Sequence, residues 1–160
     1  MARYKKFLLD AFKPHFKEQG FEKKNATWHL GTPEAVHVFN VQTSQWSESY
    51  YFNVGVYFRA LGPLDSPAEW QCHIRDRIPD EKSYRDMLRR ANGLSNFEDV
   101  ESCVEERISE LTNLIYPLVL DWFSRFGNAA SAKKELAQIR RPWFTVSNTV
   151  WPLIGLSLPK

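Results

Sequence analysis

The chain has 160 residues, a formal net charge of +2, 43% apolar residues and 14% aromatic residues, with six tryptophans and eleven phenylalanines. A chain of this length buries roughly 70% of its unfolded surface, so its core needs neither metal nor disulfide, and the small net charge gives no general drive toward nucleic acid or membrane. Cys72 and Cys103 have no metal spacing and form no secreted framework; each falls in an apolar pattern and reads as a reduced core residue.

No apolar run reaches the ~18 residues of a membrane span. Lys13, Lys17 and Glu18 follow the Phe7 to Phe12 run too closely for a signal peptide. The expectation is one cytoplasmic domain over residues 1–160, with no cofactor. Charge is uneven along it. Glu98, Asp99, Glu101, Glu105, Glu106 and Glu110 stand against Arg107, while the N-terminal stretch carries Arg3, Lys5, Lys6, Lys13, Lys17, Lys23 and Lys24. These read as solvated helix faces, or as steering for a charged partner.

Tyr4, Phe7, Leu8, Ala11, Phe12 and Phe16 recur at three and four and predict a helix. Pro14 should kink or split it, and Gly20 should stop it. Ala26, Trp28 and Leu30 alternate with polar residues as a first strand, and Gly31-Thr32-Pro33 turns the chain. Val36 to Gln42 is a second strand with apolar residues on both faces, hence central.

Tyr50 to Arg59 gives the clearest pattern. Tyr50, Phe52, Val54, Val56 and Phe58 occupy one face of a third strand. The other face holds Tyr51, Asn53, Gly55, Tyr57 and Arg59, the composition of a binding surface. Gly55 marks a close approach: Tyr51 or Trp28 packs over it, or a ligand enters the gap.

Gln71 to Ile78 is a fourth strand. Its alternation places Cys72, Ile74 and Ile78 on the core side and His73, Arg75 and Arg77 on the other. Asp76 is a charge on the apolar face, explained by a strand end or a neighbouring partner. Asp80 caps a short helix whose stripe is Tyr84, Met87, Leu88 and Ala91, closed by Asn92-Gly93. Ser95 and Glu98 have capping-box spacing. A long helix follows through Phe97, Val100, Val104, Ile108, Leu111, Ile115, Leu118, Trp122 and Phe126, with Pro117 as a kink and Gly127-Asn128 as its end. Ser131 to Arg140 is a last short helix, and Pro142 to Pro159 an aromatic, extended tail that docks on the sheet or its edge.

Chemistry-bearing motifs are sparse. His15, His29, His37 and His73 show no metal-ligand spacing, although His29 and His37 flank a turn and could approach each other. There is no nucleophile elbow and no phosphate loop. Cys72 and His73 point to opposite faces of a strand, which disfavours a thiol catalyst. Ser44, His73 and Asp76 can be drawn as a triad only by free choice among many residues. Arg75, Arg77 and His73 form a basic row beside Tyr51 and Tyr57, suited to carboxylates, anionic peptides or bases. The same row also fits pairing with the acidic helix, or a charged edge strand that resists aggregation.

A helix ending in Gly20-Phe21 with Lys23-Lys24, the strand ending Phe39-Asn40-Val41-Gln42 with Ser44, the run Asn53-Val54-Gly55-Val56, Cys72 through Arg77-Ile78, and a long helix toward Pro117 follow one another in order. In this the chain resembles the bacterial domain-of-unknown-function family numbered 4304, over roughly residues 1–126. Members of that family usually carry a tryptophan pair after the arginine-isoleucine step. Here Tyr84 stands without one, and the tail over 127–160 is an addition. The resemblance implies a small α+β domain, no established activity and no catalytic residue. With it, Asn40, Gln42, Asn53, Gly55, Arg75 and Arg77 share one parity, away from a helix-packed core.

The expected architecture is α+β: a four-stranded, possibly five-stranded, antiparallel sheet with the N-terminal helix and the long helix on one face. The expected function is a non-enzymatic protein-binding or regulatory module, of the kind that immunity proteins represent, with another protein as partner and a homodimer through the tail as a further option. The alternatives are an anionic-ligand or nucleic-acid binder, against which the small net charge counts for nucleic acid, and an enzyme of unknown reaction. The candidate binding residues are Gln42, Ser44, Tyr51, Asn53, Tyr57, His73, Arg75 and Arg77; no metal site, no catalytic residue and no membrane partner are expected.

Overall fold

The computed structural model describes residues 3–79, 85–98 and 103–159, with the backbone alone for 85–88. Asp80, Tyr84 and Val100, and the side chains of Met87 and Leu88, lie outside the described residues. Helix α1 (Lys5–Glu18) buries Leu8, Phe12 and Phe16. It runs through Pro14 as one helix rather than splitting there. Gly20 adopts φ 85°, with Gly20 N–H donating to Lys17 O and Phe21 N–H to Phe16 O, the paired bonds of a Schellman stop.

Six strands form one antiparallel meander in sequence order: β1 (Glu22–Lys24), β2 (Thr27–Gly31), β3 (Ala35–Thr43), β4 (Tyr50–Phe58), β5 (Ile74–Ile78) and β6 (Thr145–Val146). The α+β class holds, but the sheet is wider than four or five strands. Both additions are edges. β1 is exposed at all three positions, so it carries no apolar alternation to read; its lysines suit an edge that must not pair further. Asn25 at φ 56° turns it into β2. β6 is two residues of the tail, pairing Ile74 with Val146 and Arg75 with Thr145.

The remaining helices are α2 (Arg85–Ser95), α3 (Val104–Phe126), α4 (Ala129–Leu136) and α5 (Val150–Leu153). α2 continues through Asn92-Gly93, and Ser95 is its last residue, its hydroxyl donating to Asn92 O. Ser95 therefore caps nothing downstream. α3 starts at Val104 behind Cys103, which is exposed and has φ 59°, so Cys103 is not a core residue. α3 includes Pro117 and ends at Gly127; Asn128 then caps α4 by accepting from Ser131 N–H.

The even positions of β4 and the odd positions of β3 meet α1 and α3 in one core. Phe16 stacks on Phe39 at 4.6 Å, and Phe12 sets its edge toward Phe39 at 5.2 Å and Phe52 at 5.7 Å. Trp28 closes the group against Phe16. Each such ring contributes about 1.5–3 kcal/mol on burial, so this contact fixes which sheet face is the core. The tail joins it with Val150, Trp151 and Ile154, all buried, after its short strand. The tail is thus not wholly extended: it contains a short edge strand and a short helix, Thr145–Val146 and Val150–Leu153, and turns Val150, Trp151 and Ile154 into the chain's own core.

The second sheet face is divided. Residues 59–73 fold over one end of it, through two 3-10 turns at Arg59–Leu61 and Glu69–Gln71. Arg59 Nε donates to Thr32 O at 2.8 Å and His29 Nε2 to Pro67 O at 2.8 Å, which ties this loop to the sheet. Beneath it Val36, Val38, Tyr57 and Cys72 form a second small cluster. Cys72 is buried, but on this face and not with Ile74. The strand begins only at Ile74, so its parity does not extend back through the turn. Cys72 is also what covers Gly55: a Cβ there would lie 2.7 Å from both Cβ and Sγ of Cys72. Neither Tyr51, Trp28 nor an open gap occupies the place.

Gly55→Ala should therefore destabilise the protein by about 1–3 kcal/mol through overpacking. Urea denaturation would measure it, and an unchanged midpoint would show that the two segments are not held this closely.

Candidate functional site

The strand register lays out the polar half of the second face. Thr27 pairs with Asn40, Asn40 with Asn53 and Asn53 with Arg77, a line of polar residues across four strands. The side chains join along it. Asn40 Nδ2 donates to Thr27 Oγ1 at 2.9 Å, and Asn53 Nδ2 donates to Gln42 Oε1 at 2.9 Å and Asn40 Oδ1 at 3.5 Å. Arg77 Nε donates to Asn53 Oδ1 at 3.3 Å, and its guanidinium lies 4.1 Å from the Tyr51 ring centre. Asn53 is 5% exposed with both ends of its amide engaged. It positions Arg77 and is not open to a ligand.

Arg75 lies in the next row, opposite Gly55 and beside Thr145. It is partly buried and, among the described residues, makes no side-chain hydrogen bond or ion pair. It lines a shallow cleft of about 320 Å³ with Asn53, Glu69, Asp76, Arg77, Trp143, Phe144 and Thr145. A neighbouring cavity of about 370 Å³ shares Asp76, Arg77 and Trp143 and is otherwise walled largely by Tyr50, Tyr51, Phe52, Ile78, Pro79 and Ala91. Glu69 enters the cleft from the covering loop. Burial pushes its carboxyl above the usual carboxylate range, against the pull of the Arg75 and Arg77 charges.

Of the eight sequence-derived candidates, Gln42, Tyr51, Asn53, Arg75 and Arg77 come together here. The other three do not. Tyr57 is 5% exposed under the loop, 4.4 Å from the His73 ring. His73 Nδ1 accepts the Phe58 N–H at 2.9 Å. Ser44 stands in the β3–β4 loop, its hydroxyl accepting from Trp46 N–H. The covering loop separates the row's end from its middle, which strand parity alone does not reveal. Glu69, Trp143 and Thr145 were not legible as site residues. Glu69 comes from a turn and the other two from the tail, where alternation is silent about direction.

The chemistry read as absent can be placed residue by residue. Asp76 sits on the core face, where its Oδ2 accepts from Trp122 Nε1–H at 3.3 Å and its Oδ1 from Arg77 N–H at 2.7 Å. Ser44, His73 and Asp76 thus answer to three different neighbourhoods. Burial raises the Cys72 thiol far above its ordinary range, which favours the protonated thiol over the thiolate. His29 and His37 do not approach each other. They are one strand apart and on opposite faces, and His37 stacks on Phe123 at 4.7 Å and donates Nε2–H to Gly127 O. Among the described residues no group of three or more His, Cys, Asp or Glu side chains could hold a metal ion. Among them, too, no helix is long and apolar enough to cross a membrane.

Burial lowers the proton affinity of both His37 and His73 below the ordinary 6.5. The unfolded chain then binds protons that the folded chain refuses, so their contribution to stability is complete above 6.5 and is lost as pH falls through and below it. Urea midpoints should decline on acidification through this window. His37→Gln, which keeps a donor for Gly127 O, should lessen the decline; an unchanged slope would remove His37 from the account.

A family model described as Domain of unknown function (DUF4304) matches residues 12–145. No curated protein and no solved structure matches the chain. The matched span runs from Phe12 in α1 to Thr145 in β6, and so takes in the whole sheet except Val146 and both walls of the cleft. The chain belongs to this family of domains of unknown function, DUF4304.

Proposed function

We propose that this chain is a non-enzymatic, cytoplasmic binding module that takes up an anionic group in the cleft of Arg75, Arg77 and Trp143. The observation that carries this reading is the state of the two arginines. Arg77 is pre-oriented by Asn53 and Tyr51, while Arg75 is partly withdrawn from water with its donors uncommitted among the described residues. A guanidinium so placed is favourable when a carboxylate or phosphate supplies the missing acceptors.

The cleft is shallow, and Thr145 brings the one hydroxyl on its described lining. That combination supports holding a ligand rather than transforming it. In calorimetric titrations of succinate and of inorganic phosphate, affinity should fall as ionic strength rises through one Debye-length regime. Arg75→Ala should weaken binding about tenfold or more, as expected for losing a charge-assisted contact. Equal affinity in wild type and Arg75→Ala would end this reading.

A second reading, a protein-binding or regulatory module, is supported by Trp46 at 92% and Trp70 at 69% exposure, on the loop after β3 and the loop over the second face. Aromatic rings left in water at such positions are typical interface anchors. The aromatic excess itself weighs less, since most of it fills the core. Trp46→Ala with Trp70→Ala should abolish recovery of a stoichiometric partner from host lysate while leaving the melting temperature unchanged. Undiminished recovery would speak against these two anchors.

A further inference from the structure

Glu69 and Arg75 line the same cleft with opposite charge, and among the described residues no ion pair closes between them. Neither side chain makes a hydrogen bond among the described residues. Both are held by backbone that is itself fixed. Glu69 opens a 3-10 turn in which its carbonyl accepts the Cys72 N–H and Gln71 Oε1 accepts the Ala68 N–H at 2.8 Å. Arg75 belongs to a strand paired on both sides, with Gly55 and with Thr145. The backbone that carries the two charges is therefore set by the fold. A ligand that presents a cation to Glu69 and an anion to Arg75 would satisfy both charges at once.

We propose that the cleft binds a small zwitterion, a free α-amino acid, whose carboxylate lies on Arg75 and Arg77 and whose ammonium lies on Glu69. This rests on the anion-binding reading above and names its ligand class. A simple dianion would gain at the arginines and lose beside Glu69. An α-amino acid carries both charges on groups attached to one carbon, so each wall finds its complement in one ligand. A peptide bond at either group removes one of the two charges.

The cavity next door sets the side chain. Arg77, Asp76 and Trp143 line both spaces, and beyond them Tyr51, Phe52, Ile78, Pro79 and Ala91 give an apolar wall, with Asn92 and Ser95 on its polar side. A ligand anchored between Glu69 and Arg75 directs its side chain toward this wall. Large apolar or aromatic amino acids fit it, and the Trp143 ring, 39% exposed, would be covered by them.

Thermal-shift and calorimetric titration of the full chain with each of the twenty L-amino acids, each beside its N-acetyl derivative and with succinate as a plain anion, tests this. L-Phenylalanine or another large apolar amino acid should bind at least tenfold more tightly than its N-acetyl derivative. Glu69→Gln should erase that difference and strengthen succinate binding, a pair of opposite effects that a loss of folding cannot produce. Arg75→Ala should abolish both ligands. Equal binding of free and N-acetylated amino acids, or succinate binding with no amino acid bound, would overturn the zwitterion assignment while leaving the anion-binding reading intact. Absence of all binding would overturn both.

Discussion

The stacking of Phe16 on Phe39, with Phe12, Trp28 and Phe52 around it, is the contact on which the rest of the structure depends. It seats α1 on one face of the sheet and commits that face to the core. Side chains alternate strictly along a strand, so every residue of opposite parity is committed to the other face by the same contact. Asn40, Asn53, Arg75 and Arg77 hold their places on that face because the aromatic residues between them are held on this one. A register slip of one residue would bury the arginines and expose the rings.

The second face would then be an open polar sheet but for residues 59–73. This loop needs an apolar landing, and Val36, Val38 and Tyr57 provide it. Gly55 provides the clearance, letting Cys72 come down where any side chain would collide. The consequence is electrostatic as well as steric. The descent of Cys72 brings Glu69, three residues before it, to the edge of the arginine row. One glycine in a strand thus positions a carboxylate opposite two guanidinium groups.

Different forces stabilise the two walls of the cleft. Arg77 is fixed by an amide and a ring, interactions that persist with any ligand or none. Trp143 is held from below by Phe144, which packs edge-on against Phe126 of α3. Its position depends on the core accepting the tail through Val150, Trp151 and Ile154. The cleft is accordingly an outcome of sheet, loop and tail together, each anchored to a different part of the apolar interior.

Local physics made much of this legible in the amino-acid sequence. The alternation of Tyr50 to Phe58, the helical spacing of Phe12 and Phe16, and the Gly20 stop each depend on a few neighbouring residues, and the strands and helices they announce are present. Parity alone placed Gln42, Asn53, Arg75 and Arg77 on a common face. Contacts between distant segments were not legible, because no local period encodes them. β1 and β6 are short charged or tail-borne edges that acquire their pairing from a neighbour. Cys72 lies in a turn, where strand parity lapses. Tyr57 and His73 look open along their strands and are covered by a loop whose path depends on an apolar patch made by two strands, β3 and β4. The sequence by itself determined which residues would share a face. Only the tertiary structure decided which of them would meet solvent, and that Glu69 and Trp143 would join them, since burial depends on what the rest of the chain brings alongside.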